Sequence, residues 1–285
     1  MKNILLIPAA FVLILSCQKE ITVELPDPQK KIVVDGGVFA GELVEINLTW
    51  STGYFDPVDS ASLASYLITN ALVTISDGIS TDTMTLGFNP NKPIPIVWRS
   101  TTITGQVGRS YVLNVLADGK SCSSVTTIPA PIPLDSVWFK VEPDQDSLGF
   151  AWAHLTDPAG TQNAYRWFAK RTSDPDFLAP FGSAFDDRFI EGSSFDFAYN
   201  RPAPPNSTAP EDHNNQRYFY QIGDTIIVRF CTIGKAEADF FHTFEVEVSN
   251  NGNPFAAPGL IKTNVNGGLG VFCGYSPSYD TIICQ

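Results

Sequence analysis

Short apolar segments of period two, separated by turn dipeptides, constrain this chain more than any other feature. Val44, Ile46, Leu48 and Trp50 alternate with Glu45, Asn47 and Thr49, the pattern of a strand with one buried face. Ala71, Val73 and Ile75 repeat the pattern before Asp77-Gly78, and Tyr111, Leu113 and Val115 repeat it before Asp118-Gly119. Asp-Gly between such runs marks a hairpin, because both central residues of the tight turn must tolerate positive φ. Thr81 to Leu86 and Cys122 to Ile128 are the expected return strands. About seven short strands closed by hairpins predict an immunoglobulin-like or fibronectin-like sandwich over residues 31–130.

Pro129-Ala130-Pro131-Ile132-Pro133 stops any strand and makes a stiff spacer, which places the domain boundary there. Period two resumes in a second domain, residues 131–285, at Val137, Phe139 and Val141 and again at Leu148, Phe150 and Trp152. Trp50 and Trp152 share the apolar alternation and are expected in the cores. Tyr165 to Lys170 and Thr225 to Arg229 read as further strands, and Thr172 to Gln216 as loop around one or two short strands. Ala236, Phe240, Phe244 and Val248 recur every four residues beside Phe241, and Asn250-Asn251-Gly252 ends the run. That spacing predicts an amphipathic helix of about three turns, against the strand preference of Val246 and Val248. A glycine-rich strand, Gly267 to Tyr275, follows. The expected fold class is mainly β: two tandem β-sandwiches, the second with one amphipathic helix.

The amino terminus carries different information. Lys2, an apolar run from Ile4 to Leu15 and then Ser16-Cys17 have the form of a secretory signal ending in a lipobox cysteine. The run holds 12 residues, too few for the ~20 that span a bilayer. Residues 1–16 are thus expected to be removed and Cys17 to carry diacylglycerol and an N-acyl chain, with no other cofactor. Two or more acyl chains anchor firmly where one binds reversibly. Residues 17–30, with Pro26 and Pro28, read as an extended tether. Gln18-Lys19-Glu20 resembles surface-export signals of lipoproteins displayed outside diderm cells. The formal net charge of −12 has no basic stripe to offset it, which excludes nucleic acid as a partner and keeps the body off anionic head groups. In such an oxidising compartment Cys122, Cys231, Cys273 and Cys284 are expected to form one or two disulfides or to be buried thiols.

Several segments together resemble the bacterial lipoproteins catalogued as domain of unknown function 4249. They are Cys17-Gln18-Lys19-Glu20, Ile32-Val33-Val34-Asp35-Gly36 and Ala71-Leu72-Val73-Thr74-Ile75-Ser76-Asp77-Gly78, then Gly119-Lys120, Thr127-Ile128-Pro129 and Leu134-Asp135-Ser136. Gly252-Asn253-Pro254-Phe255 and Gly267-Gly268-Leu269-Gly270-Val271-Phe272 complete the set. The resemblance implies an outer-membrane lipoprotein that works beside a TonB-dependent transporter barrel, and it supplies no catalytic residues. Cys273 stands where that resemblance leads one to expect glycine or another small residue.

Chemistry-bearing constellations are sparse. His154, His213 and His242 lie in no His-Glu-x-x-His helix, and there is no Gly-x-Ser-x-Gly elbow or phosphate-cradling loop. Asp56 with Asp59, Asp144 with Asp146, Asp174 with Asp176 and Asp186 with Asp187 read as turn formers, lacking the ligand alternation of a calcium loop. Loops on rigid scaffolds make functional contacts, so Tyr54, Phe55 and Asp56 in the long Ser51 to Thr69 connection are candidate ligand or partner contacts. Phe181, Phe185, Asp186 and Asp187 are the corresponding candidates in the second domain. The chain therefore reads as a non-enzymatic lipoprotein on the outer membrane, facing the exterior, that binds or gates a ligand for a transporter barrel. A structural or adhesive envelope module is the alternative.

Overall fold

The computed structural model describes residues 29–53, 56, 60–203, 216–250 and 259–285. In chain order the first-half strands are β1 (Ile32–Phe39), β2 (Leu43–Trp50), β3 (Leu72–Ser76), β4 (Thr81–Thr83), β5 (Thr85–Phe88), β6 (Ile96–Thr104), β7 (Ser110–Ala117) and β8 (Lys120–Thr127). They are followed by β9 (Ser136–Val141), β10 (Leu148–Thr156), β11 (Ala164–Arg171), β12 (Ala184–Asp186), β13 (Ser194–Tyr199), β14 (Tyr220–Gln221), β15 (Thr225–Ile233), β16 (Val265–Asn266) and β17 (Leu269–Ile283). Two helices are described, α1 (Ser60–Tyr66) and α2 (Lys235–Asn250).

The protein is mainly β and built of large sandwiched sheets, as the alternation predicts. Both Asp-Gly turns form, with Asp118 at φ 47° and Gly119 at φ 70° in the second. Thr81 to Leu86 is not one strand: Met84 is buried between β4 and β5, and the chain passes there from the five-stranded sheet to the largest one.

That largest sheet has eight strands in the order β12-β11-β15-β17-β1-β2-β6-β5. One half packs on the five-stranded sheet β16-β8-β7-β3-β4 around Val34, Ile46, Val73, Tyr111 and Leu113. The other half packs on the sheet of β9, β10, β13 and β14 around Tyr165, Trp167, Phe230, Ala153 and Leu155. Two sandwiches therefore share one sheet. The cores change over at the proline-rich segment, but that segment is not a free linker. Ile132 N–H donates to Thr232 Oγ1 at 2.9 Å, and Ile128 and Leu134 belong to the first and second cores respectively.

β17 makes the sheet continuous. It runs parallel to β1, with Gly37 opposite Cys273 and Phe39 opposite Tyr275, and its far half pairs antiparallel with β15. Its Phe272 lies in the first core and its Ile282 in the second. Gly37 permits the close approach: a Cβ there would lie 2.0 Å from the Cys273 carbonyl oxygen. Thr126 of β8 locks the junction, accepting from Gly274 N–H at 2.8 Å and donating to Glu237 Oε1 of α2 at 2.6 Å.

The helix forms and ends at Asn250, but with a different buried face from that expected. Glu237, Ala238, Phe240 and Phe241 are buried, whereas Ala236, Phe244 and Val248 are exposed. Only the first half of α2 packs on the outer face of the shared sheet, where it covers Cys231, Val271 and Cys273. The Thr126 bond to Glu237 sets the rotation, so an acidic residue occupies a buried position that apolar counting would not choose.

All four described cysteines are free and buried. Burial pushes the thiols up, Cys122 to about 11 and Cys231 and Cys284 to about 12, so they are inert packing groups.

Candidate functional site

Alternation that sends apolar residues into the two cores sends their neighbours to the free face of the shared sheet. Arg166 and Phe168 of β11, Arg229 of β15, Tyr275 of β17 and Asp35 and Phe39 of β1 face outward there. The turn after β5, with Lys92, and the segment after β11, with Asp176 and Phe177, rise beside them and enclose a cleft of ≈ 570 Å³. That size suits a small ligand. Gly37 keeps the floor open between Asp35 and Phe39, because its missing side chain leaves room for the Tyr275 ring, 3.0 Å from where a Cβ would lie.

Two guanidiniums dominate the floor. The Arg229 side chain is 7% exposed and its guanidinium carbon lies 4.2 Å from the Phe39 ring, 4.3 Å from Phe177 and 4.9 Å from Phe168. Its nearest carboxylate, Glu42, stands off at 3.8 Å. The Arg166 guanidinium lies 3.4 Å from the Phe241 ring and 5.0 Å from Phe168, and its Nη1 donates to Tyr275 Oη at 3.1 Å. Among the described residues neither Nε has an oxygen partner. Aromatic faces, which attract cations electrostatically, hold both side chains together with the Tyr275 hydroxyl on Arg166 and the Tyr279 hydroxyl on Arg229.

Carboxylates are distributed around these cations in two ways. At the rim they are bridged: Asp176 to Lys92 at 3.0 Å, and Glu45 to Arg99 at 2.8 Å with Asn89 Nδ2 donating at 3.2 Å. At the floor, Asp35 is open to water but enclosed by protein. Burial pushes its carboxyl above the usual range, and Arg166 and Lys92 pull it back. An accessible acid set in a cleft beside fixed cations is a candidate for ligand contact. Chemically the arrangement offers charge recognition at both signs, with aromatic walls for an apolar body.

The residues named from sequence do not converge on this cleft. Cys17, Tyr54 and Phe55 lie outside the described residues. Asp56 closes a small turn, accepting from Gly53 N–H at 2.6 Å. In the second half the four candidates part company. Phe181 is exposed, but Phe185 points into the second core against Tyr165, Phe195 and Phe197, because β12 pairs with β11 and places Phe185 opposite Tyr165. Phe185 is half-buried there, packed against the second core rather than lining the cleft. Asp186 is tied to Arg188 at 2.8 Å and Lys235 at 3.5 Å. Asp187 is buried and accepts from Asn163 N–H, and beside it Asp157 accepts from Tyr165 Oη. These are loop-holding bonds rather than a binding surface. Among the described residues the one member of those acidic pairs that lines the cleft is Asp176, and no group of three metal-ligating side chains occurs.

In the sequence Asp35, Arg166 and Arg229 each look like the polar half of an ordinary strand. The available signal was charge at outward positions of strands whose inward positions are strongly apolar. Trp152 needs a correction of the opposite kind. Ala151, Ala153 and Leu155 face the core, so Trp152 lies on the other side of β10, stacked 6.2 Å from Trp138 with Lys140 4.9 Å above its ring. Phe150 stacks on Phe219 at 5.0 Å and His154 pairs with Asp196 at 2.6 Å on the same face.

No protein-family model matches the chain, and no curated protein matches it in sequence. Among solved structures the chain is similar to the chicken interferon gamma receptor alpha chain, at 10% identity, covering 73% of this chain and 90% of that one. The TM-score of that superposition is 0.20, too low to carry an argument about fold or function.

Proposed function

We propose that this protein is a lipid-anchored, non-catalytic binding protein that holds a small ligand in the shared-sheet cleft and presents it to a TonB-dependent transporter barrel. The carrying observation is the cleft: guanidiniums fixed on aromatic faces beside an enclosed, water-accessible carboxylate. Side chains held this firmly lose little freedom when a ligand arrives, so preorganisation favours binding. The lipobox sequence ending at Cys17 and the resemblance to outer-membrane lipoproteins support the location, with the body outside the cell. Tethering beside a barrel raises the effective concentration, so weak contacts suffice.

Purification of the native protein from its membranes in mild detergent tests the partner. A transporter barrel should co-purify, and recovery of the lipoprotein alone under conditions that preserve such complexes would overturn that part. Cys17→Ser should leave the fold intact and abolish function, whereas full activity from the unlipidated form would refute the anchor. A structural or adhesive role is the second reading, favoured by the continuous sheet, which makes two sandwiches one stiff body. Deletion that alters attachment but leaves nutrient uptake unchanged would favour it.

A further inference from the structure

The charges of the cleft are not all spent on one another. Lys92 and Asp176 close one pair, Arg99 and Glu45 another, and Arg229 has Glu42 at 3.8 Å. Arg166 and Asp35 remain. Among the described residues Arg166 meets no carboxylate at ion-pair distance, and nothing hydrogen-bonds to the Asp35 carboxylate. The two share the cleft and feel each other's field, yet they do not bridge.

Each leftover group has a defined appetite. The Arg166 guanidinium rests on Phe241, with Phe168 further off, and is steadied by Tyr275, so with Nε buried its Nη groups are the ones left to donate to a carboxylate. The neighbouring Arg229 adds positive field that its distant carboxylate offsets only weakly. Asp35 sits opposite Asn47 on β2, and Asn47 commits its Nδ2 to the carbonyls of Ile94 and Ile96 at 3.1 and 2.5 Å. Asn47 therefore has no free N–H to offer Asp35, whose carboxylate keeps its acceptor capacity for an ammonium with three N–H groups.

A simple anion would satisfy Arg166 but leave Asp35, in the same space, without a partner. A simple cation would satisfy Asp35 and leave Arg166 unmatched. We infer that the cleft takes a zwitterion, a short peptide with free termini, its carboxylate on Arg166 and its ammonium on Asp35. Phe39, Phe168 and Phe177 then contact its apolar side chains, and ≈ 570 Å³ leaves space for such a body. This inference rests on the reading of the cleft as a ligand site.

Calorimetry with the dipeptide alanyl-leucine, its N-acetyl form, its C-terminal amide and the doubly blocked form tests it. The free dipeptide should bind, and each single block should weaken binding tenfold or more. Asp35→Asn should weaken the free dipeptide tenfold and erase the penalty of N-acetylation. Arg166→Gln should do the same for amidation, and thermal melts confirm that both variants remain folded. Arg166→Lys, which keeps the charge but loses the fork, should recover only part of the affinity. Equal binding of free and doubly blocked peptide, or no binding of the free peptide to folded protein at millimolar concentration, would overturn the inference. Native mass spectrometry of protein taken from its own cells separates the two layers. A retained ligand without paired opposite charges, lost on substitution of Arg229, would sink the zwitterion and leave the cleft reading standing. Retention unaffected by any cleft variant would sink both.

Discussion

The two faces of the shared sheet are made from alternate residues of the same strands, yet they obey different rules. On β11, Tyr165, Trp167 and Ala169 face the second core and are essentially without exposure, while Arg166 and Phe168 face the cleft one residue away. On β1, Val34 and Val38 are buried and Asp35 is open to water. The inner face is held by apolar burial, worth ~25 cal/mol per Å² and indifferent to direction. The outer face is held by cations on rings and by ion pairs, which are directional and contribute less to stability. Strand pairing forces both faces to exist together, so the fold can keep a charged, weakly stabilising surface because its reverse side supplies the stability.

The comparison can be broken most severely at the seam where both faces depend on one contact. Gly37→Val would drive a side chain into the Cys273 carbonyl and part β1 from β17, with an expected loss above ~4 kcal/mol. Urea denaturation should then show both sandwiches failing together, and one core surviving with native stability would contradict the shared sheet. On the inner face, Trp167→Ala leaves a cavity and should cost ~3–5 kcal/mol in the same assay. On the outer face, Arg229→Met should change stability by less than ~1 kcal/mol, because Glu42 is left exposed rather than stranded. A loss near that of Trp167→Ala would show that the guanidinium is a core element after all.

The smallest effect concerns pH. Backbone N–H groups of Ser80 and Ile79, with Arg109, hold Asp77 at about 2. Burial acts to raise Asp82, but hydrogen bonds from Ser100, Thr101 and Thr102 outweigh it and hold that carboxyl at about 2 as well. Folded values below the unfolded one of ~3.9 mean that the contribution is complete above that pH and is lost as pH falls toward 2. Urea midpoints should decline over that window, and Asp77→Asn with Asp82→Asn should flatten the decline. An unchanged slope in the double variant would place the acid sensitivity elsewhere.

Much of the inner face was legible in the residues. Val44, Ile46 and Leu48 alternate as read and are buried, and Asp118-Gly119 turns as its need for positive φ requires. Strand order was not legible. β1 meets β17 and β11 meets β15 across long stretches of sequence, and the cleft exists only once those neighbours are known. Arg166, Arg229 and Asp35 carry no local mark that would group them. Phe185 shows the converse error, a residue assigned to a loop that forms the edge strand of the sheet and turns inward. Trp152 shows that an aromatic in an alternating segment takes its side from its neighbours Ala151 and Ala153, which are too small to dominate a count of apolar residues.

The position of β17 also has a consequence in time. Residues 269–283 are synthesised after every strand they pair with, and they contribute Phe272 to one core and Ile282 to the other. A nascent chain therefore exposes two unfinished cores until β17 is delivered. Pairing over such sequence distances is slow, and β1 and β15 wait meanwhile as open edges that can capture other chains. A polypeptide stalled before Leu269 should accordingly behave as an unfolded client of chaperones and proteases, with no folded first half to protect it.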